Sequence, residues 1–264
     1  MTERYETILT DNPGPGLLRV TLNRPAAANA FNTMMMRELL DLWNGLATQP
    51  DPPRCIVLTG AGDRVFCAGA DLKERNGMTE AQWMAQHTII ERQFEALIHC
   101  PAPIIAAVNG PAFAGGLEMV LACDFAYAVK NARFALTEVT LGIMPGAGGT
   151  QTLARAAGER RAKETILTGK PFGAAEALHW GIVNALYEPE ALMPAALETA
   201  SRIAANAPLA VRQARRSIHG GLQMDLDAGM RFEIECYNRL IPTEDRHEGI
   251  AAFNEKRKPN FKGR

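Results

Sequence analysis

Apolar and polar positions along the chain fall into a repeated strand and helix rhythm. "YETILT" (5–10) and "LLRVTLN" (17–23) alternate as strands do, around the turn-forming "DNPGPG". "TMMMRELLDLWNGLAT" (33–48) has helical spacing, with Asn32 or Thr33 as N-cap and a Met run suited to filling core. "CIVLTG" (55–60) reads as a compact buried strand, followed by the loop "AGDRVFCAGADLKER". A long helix is predicted near 80–99, then a strand in "PAPIIAAVNG", a helix start at "GGLEMVLAC" and a strand at "DFAYAV". "FALTEVTLGIMPGAGGTQTLARAAG" reads as an extended piece, a glycine-rich loop and a helix stopping near Ala157. Helices over 159–168 and 173–180 and the strand "GIVNALY" follow. From about residue 190 strand signals vanish, and helices are expected near 191–206, 208–219, 226–240 and 243–254. The rhythm predicts an α/β or α+β architecture, and periodicity alone does not choose the topology.

Composition narrows the class. With 264 residues, 47% of them hydrophobic and 22% charged, the chain is expected to be a soluble globular protein of one large domain, or a main domain with an appendage. A net charge of −1 leaves no basic footprint for nucleic acid and no general attraction to an anionic membrane. The start "MTERYETILTD" lacks the basic and apolar succession of a secretory signal, and Glu118 and Asp124 interrupt the longest apolar stretch. The five cysteines form no CxxC pair, which suggests reduced thiols and a cytoplasmic location. The five histidines show no HExxH spacing, so no metal site is expected, and the basic tail "KRKPNFKGR" reads as a solvated end.

Candidate chemistry centres on "FAGGLEMVLACD" (113–124), where Glu118 sits in an apolar run behind two glycines. A buried unpaired carboxylate is costly enough that it shifts its pKa or finds a partner. Gly115 and Gly116 precede the predicted helix, whose first N–H groups could meet a developing negative charge; a plain strand-to-helix turn is the alternative. "CAGAD" (67–71) would also expose backbone N–H groups. "GAGDRV" fails the dinucleotide fingerprint, no P-loop occurs, and neither Ser201 nor Ser217 lies in GxSxG. Glu138, in "LTEVTLGIMPGAGG", is a second acid among apolar neighbours. Two such carboxylates could divide proton transfer, and an ion-paired or surface glutamate is the alternative for each.

"LNRPAAANAFN", "FCAGADLKE", "NGPAFAGGLEMVLACD", "LTEVTLGIMPGAGGTQTLARAAG" and "IPTEDRHEGIAAFNEKRKPNFKG" together resemble the enoyl-CoA hydratase/isomerase (crotonase) family, in order, from about residue 5 to residue 263. The resemblance implies a spiral of ββα turns over 1–200, holding coenzyme A and the active site, and a helical oligomerisation region over 201–264 that makes trimers, commonly paired into hexamers. It implies an oxyanion hole from the backbone N–H groups of Ala70 and Gly115. Glu118 would take the proton of a water attacking C3, and Glu138 would protonate C2. No cofactor is implied, coenzyme A being part of the acyl-CoA substrate. By the same resemblance the Ala68 backbone meets the adenine, Arg24, Ala26 and Ala28 border the pantetheine and phosphate path, and Asp71, Leu72 and Gly116 belong to the substrate-binding loops. Lys73 lies near the nucleotide end, a solvated loop lysine being its alternative. Phe253 and Lys256 match positions that reach a neighbouring subunit's coenzyme.

The usual three glycines before the first glutamate read Ala114-Gly115-Gly116 here, an alanine that could narrow the acyl pocket. The pocket wall is expected from the loop and helix around 74–98. Both glutamates favour hydration of a 2-enoyl-CoA, with a double-bond isomerase and a non-catalytic CoA-binding scaffold as alternatives. "CAGADLKER", "GLEMVLACD" and "CYNRLIPTEDRHEGIAAF" look especially like the methylglutaconyl-CoA hydratase branch, which takes a branched acidic acyl group. Some members of that branch bind RNA through a lysine-rich first helix. The helix "TMMMRELLDLWNGL" has no lysine, so no nucleic-acid partner is expected.

Overall fold

The computed structural model describes residues 5–264. Residues 1–4, the start of the stretch read for a secretory signal, lie outside the described residues. The chain opens with β1 (Ile8–Asp11) and β2 (Leu17–Leu22), then α1 (Thr33–Thr48), β3 (Cys55–Gly60), the one-turn α2 (Leu72–Arg75) and the long α3 (Glu80–Ile98). It continues through β4 (Ile104–Val108), β5 (Ala112–Phe113), α4 (Gly115–Ala122), β6 (Phe125–Val129), β7 (Arg133–Ala135) and a 3₁₀ turn, Glu138–Leu141. Next come α5 (Gly149–Ala157), α6 (Glu159–Thr168), β8 (Phe172–Gly173), α7 (Ala174–His179) and β9 (Ala185–Tyr187). Four helices end the chain: α8 (Pro189–Ala204), α9 (Pro208–Gly221), α10 (Leu226–Asn238) and α11 (Glu244–Asn254).

The strands form a six-stranded sheet in the order β1-β2-β3-β4-β6-β9 and a three-stranded sheet in the order β5-β7-β8. In the larger sheet only the β1–β2 hairpin is antiparallel. β3 and β4 are buried along their whole length, as parallel strands covered on both faces must be, which is why "CIVLTG" reads as an unbroken apolar run. α8 packs across the sheet over β3, β4 and β6, while α1 packs against α3. Asn32 caps α1 by accepting the Met35 N–H at 3.0 Å. Met35 and Met36 are fully buried in the core, whereas Met34 is exposed. Thr79 and Gln82 close a capping box that fixes where α3 begins, and α3 then forms one wall of the cavity described below.

Residue 201 lies inside α8, which belongs to the sheet by its packing; α9 and α10 pack mainly on each other. No helix among the described residues is long and apolar enough to cross a membrane.

Candidate active site

The segment "CAGAD" is clamped by its neighbours. The Phe31 N–H donates to the Gly69 carbonyl at 2.8 Å, the Asp71 N–H donates to the Phe31 carbonyl at 2.9 Å, and the Phe113 N–H donates to the Cys67 carbonyl at 2.9 Å. In a parallel bridge of this kind one residue bonds the two neighbours of its partner, so Ala70 keeps its own N–H for the other side. The Ala70 N–H donates no hydrogen bond among the described residues. Gly115 is the first residue of α4, and its N–H is likewise unengaged, as first-turn N–H groups are. Gly69 lets the two segments meet. Its φ is +92°, and a Cβ there would lie 2.9 Å from the Ala114 Cβ and 3.2 Å from the Gly115 nitrogen.

Glu118 follows in the first turn of α4 and is only 4% exposed. Its Oε1 accepts the Ala147 N–H and the Gly149 N–H, both at 2.8 Å. Burial raises its pKa; the two N–H donors and, after them, the His87 charge pull it back. Glu138 opens the 3₁₀ turn after β7 and is 6% exposed, with no hydrogen-bond partner for its buried Oε2. Desolvation, with the charge of Glu118 as a further contribution, pushes its pKa up to about 7. Burial raises both carboxylates, but they differ in their donors: the Ala147 and Gly149 N–H groups hold Glu118 and pull it back, whereas Glu138 has the hydrogen bond of its own backbone and an unpartnered Oε2.

Both glutamates line one cavity of about 480 Å³ together with Ala68, Ala70, Leu72 and Gly115. Ala114 lines it as well, at φ 50° and ψ −127°, a backbone conformation an L-residue rarely adopts. Cys67 is buried beside it, and desolvation raises its thiol pKa to about 12, so the site offers no thiolate nucleophile at neutral pH.

The remaining sequence-derived residues fall elsewhere. Arg24 and Asp71 form an ion pair at 2.9 Å and do not line this cavity. Ala26 lies in a 3₁₀ turn, and the Ala28 carbonyl after it accepts the Ala68 N–H at 3.1 Å. Lys73 is exposed on α2. Gly116 does not line the cavity: a Cβ there would lie 2.2 Å from the Cys67 carbonyl oxygen, so its smallness seats α4 against the first loop. Phe253, 83% exposed on α11, and Lys256 just beyond it do not line this cavity either.

Sequence reasoning did not single out three cavity-lining residues, Arg75, Trp83 and His87, nor the Ala147 and Gly149 N–H groups that hold Glu118. Arg75 stands in "DLKER", where the resemblance points to Lys73, and the two donors stand in "PGAGG", whose pattern reads as a glycine-rich loop.

Comparison with known proteins identifies the family. Residues 13–264 match the family described as "Enoyl-CoA hydratase/isomerase". The chain is 42% identical to the short-chain-enoyl-CoA hydratase of Clostridium acetobutylicum, covering 93% of this chain and 94% of the relative. It is 41% identical to the 2,3-dehydroadipyl-CoA hydratase of Escherichia coli, covering 94% of this chain and 96% of the relative. The crystal structure of an enoyl-CoA hydratase from Bacillus anthracis superposes with a TM-score of 0.95 at 43% identity, covering 98% of this chain and 100% of that one. With the mixed sheet, the helical C-terminal part and the paired loops in place, this chain belongs to the enoyl-CoA hydratase/isomerase family and has its ββα-spiral architecture.

Proposed function

We infer that the chain is an enzyme that adds water reversibly across the 2,3 double bond of a 2-enoyl-CoA thioester. The observation that carries the reading is the asymmetric pair of buried glutamates on a cavity also lined by Ala70 and Gly115, whose N–H groups are unengaged. Those two N–H groups receive the thioester oxygen as it gains enolate character, and one such donor is worth about 3 kcal/mol in the transition state.

Glu118, oriented by the Ala147 and Gly149 N–H groups, acts in its ionised form and removes a proton from water as the hydroxyl adds to C3. Glu138, which retains its proton near neutrality, delivers it to C2. Water's oxygen and one proton end on C3, its other proton rests on Glu118, and C2 carries the proton Glu138 gave up. Transfer of that proton from Glu118 to Glu138 restores the pair. An isomerase needs only one carboxylate to move a proton, and the two backbone donors fixing Glu118 support a role for both. Turnover of crotonyl-CoA, followed by loss of the enoyl-thioester absorbance, tests the reading; binding without turnover would favour a CoA-binding scaffold instead.

The working form is a homotrimer or a dimer of trimers. What supports this is a run of exposed apolar side chains along α9, its C-cap and α10, among them Ile218, Leu222, Leu226, Met230 and Ile234, each more than half exposed.

A further inference from the structure

One cation on the cavity has no role in hydration. Arg75 is the only arginine or lysine among the residues lining it. Its guanidinium lies 4.3 Å from the centroid of the Trp83 ring, and its Nε donates to Gln86 Oε1 at 2.8 Å. Gln86 is buried and cannot turn: its Nε2 donates to Thr33 Oγ1 and to Glu74 Oε2, both at 2.8 Å, so its oxygen must face Arg75. Glu74 Oε2 also accepts the Thr33 N–H at 2.8 Å. Arg75 therefore rests against a neutral amide and an aromatic face, and among the described residues it forms no salt bridge. Its Nη groups donate no hydrogen bond there.

None of the other described residues lining this wall accepts a hydrogen bond from the guanidinium. Leu72, Leu141, Ile143 and Met144 are apolar, and His87 pairs with Glu91 at 3.1 Å. Glu118 is engaged by backbone donors. The charge of Glu74, which is bound to the same Gln86, offsets part of the desolvation of the half-buried guanidinium without a salt bridge, and an anionic ligand group would offset the rest through paired, planar hydrogen bonds.

We propose that Arg75, held by Gln86 and Trp83, is a specificity-determining residue that binds a carboxylate at the far end of the acyl group, so that the preferred substrates are 2-enoyl-CoA thioesters carrying a terminal carboxylate. The proposal rests on the hydration reading above. Gln86 acts as a positioning residue, because it fixes the guanidinium without facing the ligand. The phosphates of coenzyme A are the other anions that a guanidinium could meet, and they are common to every substrate, so chain-matched pairs separate the two sources.

The test compares glutaconyl-CoA with 2-pentenoyl-CoA, and 2,3-dehydroadipyl-CoA with 2-hexenoyl-CoA, as substrates of the full-length protein. The wild type is expected to favour the acidic member of at least one pair in kcat/KM by about tenfold or more. Arg75→Met is expected to lower that acid-to-neutral ratio about 100-fold, with Arg75→Lys between the two. Gln86→Leu should lower the ratio by raising KM for the acidic member rather than by lowering kcat. A wild-type preference for the neutral member in both pairs overturns the proposal. So does an equal loss on acidic and neutral substrates in Arg75→Met, which would assign Arg75 to the coenzyme phosphates or to folding. Absence of turnover on all substrates by the wild type would instead overturn the hydration reading itself.

Discussion

Gly149 donates its N–H to Glu118 Oε1 at 2.8 Å from a position where a Cβ would stand 2.9 Å from that same oxygen. The carboxylate and the start of α5 are thus fitted to each other with no room for a methyl group. Gly149→Ala must move Glu118 or the loop, and a small misplacement of a catalytic group is expensive. We expect kcat for crotonyl-CoA to fall about 100-fold with the fold retained by circular dichroism. Unchanged kcat would mean that the orientation of Glu118 is not set by this contact.

The raised pKa of Glu138, about 7, predicts two pH effects. Its protonated form is the C2 proton donor, so kcat for hydration falls as pH rises through about 7, as an apparent value belonging to the coupled pair. Stability follows the same group. Its folded pKa lies above the ordinary carboxyl value, so the native state binds the extra proton between the two values. The associated stability is fully present below the ordinary value and is lost as pH rises through about 7. Melting temperature should therefore fall between about pH 5 and about pH 8, and Glu138→Gln should reduce that fall. An equal fall in wild type and variant would remove Glu138 as its source.

Ala114 adopts φ 50° and ψ −127° beside Gly69, a conformation that costs a non-glycine residue roughly 1–3 kcal/mol. Ala114→Gly relieves this while making the unfolded chain more flexible, which takes back part of the gain. We expect a net stabilisation of about 1 kcal/mol, read as a higher urea midpoint at constant slope. A lower midpoint would show that the alanine methyl contributes more through packing than its backbone costs.

Much of the fold could be read from the chain because its signals are local. "CIVLTG" is bounded by what it is, an apolar run closed by glycine, and it becomes β3 at the same residues. α1 begins at Thr33 because Asn32 accepts an N–H, a signal carried by a single side chain. By contrast α2 is one turn, capped by Asp71 accepting from Lys73 and Glu74, and too short for any periodicity. β5, β7 and β8 have two or three residues each and show no alternation to detect. The site divides in the same way. Spacing did not show that Glu118 and Glu138 share a cavity, since that depends on how α4 and the turn after β7 pack; the family resemblance supplied it. Arg75 carries no signal of its own in the sequence because its surroundings come from Trp83 and Gln86 on another helix.

The central claim is a division of labour between Glu118, which activates water, and Glu138, which supplies the C2 proton. It is tested most directly by following crotonyl-CoA hydration and the isomerisation of a 3-enoyl-CoA in wild type, Glu118→Gln and Glu138→Gln. The account predicts that each substitution lowers the kcat of hydration by about 100-fold to 10,000-fold, the range typical of a general acid or base. A Glu118→Gln enzyme that hydrates crotonyl-CoA at the wild-type rate, or that loses hydration while the wild type proves chiefly an isomerase, would contradict it.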